Sequence, residues 1–104
     1  MHLTPALISH LVSSRYYRFS QHAETEREAD HVTITEFEEA FSSVSIEVLE
    51  SRLEDPRGAS YLALGFTNHH KPIHAVFGTV EERLIIVTIY RPDPELWLDF
   101  RKRR

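Results

Sequence analysis

Residues 19–41 read FSQHAETEREADHVTITEFEEAF, and the two helix starts inside this stretch decide the fold class. Thr33-x-x-Glu36 is a capping box, in which the threonine hydroxyl and the glutamate carboxylate each take a backbone N–H that a first helical turn leaves unpaired. Val32 and Phe37 flank it at the spacing of a hydrophobic staple. Ile34, Phe37, Ala40, Phe41 and Val44 then recur with helical period. The segment therefore predicts an amphipathic helix that covers a sheet, with Glu38 and Glu39 on its wet side. Upstream, Ser20 is placed to cap a helix from about Gln21. His22 then falls in the first turn and Glu26 four residues on, so both side chains share one face. The unpaired N–H groups and partial positive charge of such a helix end favour a neutral imidazole and can hold a phosphate.

Towards the N-terminus, Thr4-Pro5 reads as an N-cap followed by proline at the first helical position. Leu7, Ile8, Leu11 and Val12 form one apolar stripe that Ser13-Ser14 ends, a short helix of about two turns. The next segment, Arg15-Tyr16-Tyr17-Arg18-Phe19, interleaves cations with aromatics. Such a mixture can stack bases and neutralise phosphates; it can equally be an aromatic connection packed on the core with its arginines in solvent.

Beyond Ser45 the period changes. Val44, Ile46 and Val48 alternate with polar residues as a first strand, and Asp55-Pro56-Arg57-Gly58 is a turn sequence. Ser60 to Phe66 predicts a second strand, Asn68-His69-His70-Lys71 a polar loop, and Pro72 to Gly78 a third. Val80-Glu81-Glu82-Arg83 turns the chain into Leu84-Ile85-Ile86-Val87-Thr88-Ile89-Tyr90, apolar on both faces and so central or covered. Arg91-Pro92-Asp93-Pro94 stops it. Connections this short allow only antiparallel pairing. The expectation is an α+β domain, two or three helices followed by a four-stranded curved antiparallel sheet. Phe37, Phe41, Ile46, Val48, Leu62, Leu64, Val76, Ile86 and Ile89 are its expected core. One domain over residues 1–100 is expected, with Arg101-Lys102-Arg103-Arg104 as a mobile basic tail.

Composition bounds the chemistry. The chain has 104 residues, 41% of them hydrophobic, enough for one modest core. It has no cysteine, which excludes disulfides, thiolate zinc sites and a cysteine nucleophile and leaves histidines and carboxylates to carry protons. There is no apolar run long enough to cross a bilayer, and no leader pattern at the N-terminus, so a cytoplasmic protein is expected. The net charge of −4 is unevenly spread: residues 24–55 hold eleven acids against two arginines, while residues 56–104 hold eight basic residues against five acids. A local positive surface is thus compatible with an acidic total.

Several stretches, in order, resemble a bacterial family known as domain of unknown function four-two-five-eight, met beside zinc-finger antitoxin genes. They are Tyr17-Arg18-Phe19-Ser20-x-His22-Ala23-x-x-Glu26; Val32-Thr33; Glu47-Val48-Leu49-Glu50; Asp55-Pro56-Arg57-Gly58-x-Ser60-Tyr61-Leu62-x-Leu64-Gly65; Lys71-Pro72-Ile73-His74-x-Val76; and Ile86-Val87-Thr88-Ile89-Tyr90-Arg91-Pro92-Asp93-Pro94-x-x-Trp97. Ser51 and Arg52 depart from that pattern, as does His31, which stands where a glycine is usual. The resemblance implies a fold like the RelE, HigB and MqsR toxins and metal-independent RNA cleavage without a cofactor. It also implies mRNA as substrate, on the ribosome or off it, and a cognate antitoxin of zinc-finger type as partner.

Cutting RNA without a metal needs a base for the 2′-hydroxyl, an acid for the leaving 5′-oxygen and a cation for the phosphorane. His22 and His74 are the candidate base and acid in either order, Glu26 orients or shares proton transfer, and Tyr90 and Arg91 meet the phosphate. Arg15, Arg18, Arg57, Lys71, Arg101, Lys102, Arg103 and Arg104 are candidate RNA contacts. Two alternatives stand beside this reading. His22, Glu26 and His74 could form a two-histidine, one-carboxylate metal site. The domain could also occupy RNA, the ribosome or a protein partner without cutting.

Overall fold

The capping signals form as read. In the computed structural model, which describes residues 2–104, the Thr33 hydroxyl accepts the Glu36 N–H at 3.0 Å and the Glu36 carboxylate accepts the Thr33 N–H at 3.1 Å. This box opens helix α3, Ile34–Phe41. Thr4 caps α1, Pro5–Ser13, and Ser20 caps α2, Gln21–Ala29, by accepting the Ala23 N–H at 3.0 Å. The apolar stripe of α3 is shorter than its sequence period suggests. Ser42 closes the helix, and Val44 beyond it is 94% exposed.

His31 joins α2 to α3 with φ +55°, in the left-handed region where a side chain is strained and glycine is at ease. That geometry explains why glycine is the residue expected at this position.

The sheet has five strands rather than the four expected, and it is mixed rather than antiparallel. β1 (Tyr17–Phe19) pairs parallel with β5 (Arg83–Tyr90). β2 (Glu47–Arg52), β3 (Ser60–Phe66), β4 (Pro72–Val80) and β5 are joined by antiparallel pairs, giving the order β1-β5-β4-β3-β2. Short connections do make β2 to β5 antiparallel, as expected. β1 escapes this constraint because it pairs with a strand far along the chain, with two helices and three strands between them. A small hairpin, β6 (Trp97–Leu98) and β7 (Lys102–Arg103), follows. No helix among the described residues is long and apolar enough to cross a membrane.

The helices cover one face of the sheet. The Phe37 ring lies 4.9 Å from Phe19, 5.4 Å from Phe41 and 6.2 Å from Phe77, centroid to centroid. Of the expected core, Phe37, Phe41, Ile46, Leu62, Leu64, Ile86 and Ile89 are buried, whereas Val48 and Val76 are half-buried. Leu62 and Val76 are register partners that line a cleft on the opposite face of the sheet. Phe77, Ile73, Leu84 and the α1 residues Ile8 and Val12 complete the main core.

Gly65 is where α3 meets the sheet closely. A Cβ built there would lie 2.5 Å from the Ala40 carbonyl oxygen and 2.9 Å from its carbon, both backbone atoms. The Gly65→Ala variant is expected to lose about 1–3 kcal/mol by overpacking, measured as a lower midpoint in urea. An unchanged midpoint would show that α3 can move away from the sheet at no cost.

Residues 101–104 are folded back rather than mobile. The Arg101 guanidinium pairs with Glu47 at 2.7 Å and Asp99 at 2.9 Å, and Arg103 pairs with Glu50 at 2.8 Å. Arg103 also lies 4.6 Å from the centroid of the Trp97 ring. The run lacks apolar residues of its own, which is why the sequence suggests a free tail. Its partners are Glu47 and Glu50 of β2, Asp99, and a tryptophan that is 4% exposed.

Candidate active site on the open sheet face

The sheet face turned away from the helices holds a cleft of about 590 Å³. Leu62, Val76 and Val87 contribute its aliphatic floor, and Arg52, Arg57 and Arg103 its charged border together with the carboxylates of Glu50 and Asp55. Tyr90, the last residue of β5, also lines it.

His74 and Tyr90 are register partners on β4 and β5. The His74 Nε2 is 2.7 Å from the Phe100 carbonyl oxygen, which can only accept, so Nε2 carries the ring proton. Nδ1 of the neutral ring is then the acceptor, and the Tyr90 hydroxyl, 3.1 Å away, donates to it. Burial holds the His74 pKa below the ordinary histidine value; the Phe100 carbonyl opposes this, the Arg103 charge reinforces it, and Glu50 opposes it. Burial likewise raises the Tyr90 phenol; Arg103 lowers it, and Glu50 and Glu26 raise it. The pair is therefore uncharged at neutral pH. His74 is closed off by Trp97, whose ring centroid is 4.5 Å away, and it has no exposed surface. It cannot touch a substrate as base or acid in this conformation. Its chemistry is to fix the Tyr90 hydroxyl.

The depressed His74 pKa has a consequence for stability. Below the unfolded-chain pKa of about 6.5 the folded state binds fewer protons than the unfolded state, so stability falls with pH from there down through the folded pKa. The urea midpoint is expected to drop as the pH falls below about 6.5, and to drop less in His74→Gln, whose amide can reproduce both hydrogen bonds without titrating. Identical pH profiles for the two proteins would contradict the assigned tautomer and burial.

His22 and Glu26 meet as the helical spacing requires. Nε2 of His22 lies 3.2 Å from Oε1 of Glu26. The same carboxylate oxygen accepts the Ile89 backbone N–H at 3.2 Å. β1 pairs with only the first half of β5, so this N–H is an open ladder donor on the β5 edge, and Glu26 closes it. The carboxylate is thereby held against the strand. The His22 side chain, 67% exposed, projects from it into solvent. Nε2 is the ring nitrogen beside the carboxylate, and Nδ1 is the proton acceptor in the mechanism proposed below. Glu26 meets β5 at Ile89, the residue before Tyr90, but neither His22 nor Glu26 is among the residues that line the cleft.

Residues 19–91 match the model of a family described as a domain of unknown function, DUF4258. The chain belongs to this family. No curated protein and no solved structure matches it. The DUF4258 match contains both pairs, His22–Glu26 and His74–Tyr90, and ends at Arg91; Trp97, Phe100 and Arg103 lie beyond it.

Arg91, the last residue of the DUF4258 match, is not at the Tyr90 hydroxyl. Successive strand residues point to opposite faces, and the Arg91 guanidinium is taken up by the α2–α3 junction. Its Nε donates to the Asp30 carbonyl at 3.0 Å, and its Nη2 donates to the His31 carbonyl at 2.8 Å and to Glu36 at 2.9 Å. It ties the end of β5 to the start of α3. The cation beside Tyr90 and His74 is Arg103, whose charge acts on both groups. Sequence reasoning placed Arg103 in a tail; the aromatic Trp97 and acidic Glu50 that hold it were the available signals.

A metal site built from His22, Glu26 and His74 is ruled out by geometry, because both ring nitrogens of His74 are occupied by Tyr90 and Phe100. The remaining candidate RNA contacts are scattered. Arg57 is paired with Asp55 at 3.1 Å, Arg15 lies 3.8 Å from Glu38, and Arg104 donates to the Pro94 carbonyl. Arg18 and Lys102 are exposed on the surface, as is Lys71.

Proposed function

We propose that the domain is a toxin-like endoribonuclease with a RelE-like architecture that cleaves RNA without a metal. The observation that carries this reading is the exposed His22 imidazole 3.2 Å from the strand-fixed carboxylate of Glu26, with the Tyr90 hydroxyl, bonded to His74, one residue further along β5 from the Glu26 contact at Ile89. In this mechanism His22 Nδ1 takes the proton of a ribose 2′-hydroxyl, and the 2′-oxygen attacks the adjacent phosphorus. The bond from phosphorus to the 5′-oxygen breaks, and Tyr90 delivers a proton to that leaving oxygen. Glu26 stabilises the imidazolium formed on His22, and Arg103 balances charge on the phosphorane. The products are a 2′,3′-cyclic phosphate and a 5′-hydroxyl. RNA is the substrate because its 2′-hydroxyl supplies the nucleophile that the site itself lacks.

As a toxin-like ribonuclease it would act on mRNA in the bacterial cytoplasm and be held in check by a cognate antitoxin, zinc-finger antitoxins being the type suggested by the family's gene neighbourhood. Inducing the protein alone in a bacterium and mapping new RNA 5′ ends tests this. New 5′-hydroxyl ends that vanish in His22→Ala support the reading. Growth inhibition without new ends would favour occupation of RNA, the ribosome or another partner without cutting.

A further inference from the structure

Tyr16 stands outside the site described so far. It is the one aromatic of residues 15–19 that the core does not take. Tyr17 and Phe19 turn inward, 5.1 Å and 4.9 Å from the Phe37 ring, whereas Tyr16 is 50% exposed. The Arg83 guanidinium lies 5.4 Å from the centre of the Tyr16 ring. Along β5, Arg83 alternates with Ile85 and Val87, and both of those line the cleft, so Arg83 belongs to the cleft side of the sheet. Arg18 is the register partner of Ile85 across the parallel pair and shares that side. It is exposed. The open face therefore continues past Ile85 and Val87 to the free edge of β1, ending on Arg18 and the Tyr16–Arg83 stack.

Of the cations that border the cleft, Arg57 and Arg103 each have a carboxylate partner, whereas Arg52 forms no ion pair among the described residues. Among the described residues neither Arg18 nor Arg83 forms an ion pair within 4.0 Å. Two cations without carboxylate partners beside a half-exposed aromatic ring suit a phosphate and an unstacked base, the combination by which single strands are held. A duplex presents no free base face.

We propose that Tyr16, Arg18 and Arg83 form a second binding subsite for single-stranded RNA, with a base stacked on Tyr16 and the adjoining phosphate on Arg18. A strand lying in the cleft then runs on over β1. The subsite rests on the reading of the cleft as an RNA site. It places strand recognition on residues that take no part in proton transfer.

Fluorescence anisotropy with a labelled, 2′-O-methylated single-stranded oligoribonucleotide, which the proposed chemistry cannot cleave, tests it. Tyr16→Ala is expected to weaken binding about fivefold to a hundredfold, the range of one lost base stack, and Tyr16→Trp to retain it. Arg18→Gln and Arg83→Gln should weaken binding and flatten its salt dependence. All three positions are on the surface, and circular dichroism checks that the variants fold. Wild-type affinity in Tyr16→Ala, with weakened binding in the cleft variant Tyr90→Ala, would overturn the subsite and leave the cleft reading standing. Weakening in Tyr16→Ala alone would keep the subsite and remove the cleft. Failure of the wild type to bind the single strand, or preference for a duplex, would overturn the subsite.

Discussion

Phe37→Ala is expected to destabilise the domain by about 3–5 kcal/mol, the usual effect of truncating a fully buried phenylalanine. Phe37 has no exposed surface and joins the three parts of the fold: Tyr17 and Phe19 from β1, Phe41 from its own helix and Phe77 from β4 all lie within 6.2 Å of its ring centre. An alanine leaves a void that the rigid sheet cannot fill by moving, because β1 and β4 are both hydrogen-bonded to β5. A domain of this size has total stability of about 5–15 kcal/mol, so the variant should sit near its unfolding threshold. Urea denaturation with an unchanged slope measures the loss. A loss below about 1 kcal/mol would mean that the ring is not the junction of these elements.

The sequence shows most plainly what is local. The capping box at Thr33, the serine cap at residue 20 and the proline at residue 5 act within one turn, and each helix begins where its cap says. The apolar run in residues 60–66 and the one ending at Tyr90 likewise mark strands by their own composition. β1 was not legible, because three residues have no period and the strand exists only through pairing with residues 84–86. The C-terminal cover was hidden for a related reason: Arg101 and Arg103 are ordered by Glu47 and Glu50, some fifty residues away.

The candidate site divides along the same line. The i,i+4 pair of His22 and Glu26 follows from helix geometry alone. The register of His74 with Tyr90 was approachable from strand alternation, but the Phe100 carbonyl and Trp97 that bury His74 depend on the fold of residues 92–104. Arg91 was misplaced by adjacency. Its neighbour Tyr90 faces the cleft, and alternation turns Arg91 away from it.

The second large effect concerns His22. If its imidazole is the base, His22→Ala should lower RNA cleavage by about two to four orders of magnitude, the usual worth of a positioned proton acceptor, while the fold is retained because the side chain is largely exposed. Glu26→Gln should lower cleavage as well, by leaving the imidazolium without its partner. The amide can turn its oxygen to the Ile89 N–H and keep the strand edge closed, so stability should change less than activity. Tyr90→Phe removes the proton donor and leaves the His74 Nδ1 without a partner, and its loss of activity should come with a modest loss of stability.

The most direct measurement is cleavage of a single-stranded RNA by the purified wild-type protein and by His22→Ala, each in the presence of excess chelator, with the product ends identified. Wild-type activity is expected to persist in chelator, to yield 2′,3′-cyclic phosphate and 5′-hydroxyl ends, and to fall by about two to four orders of magnitude in the variant. Cleavage by a folded His22→Ala protein at the wild-type rate, or 3′-hydroxyl products from the wild type, would contradict this mechanism.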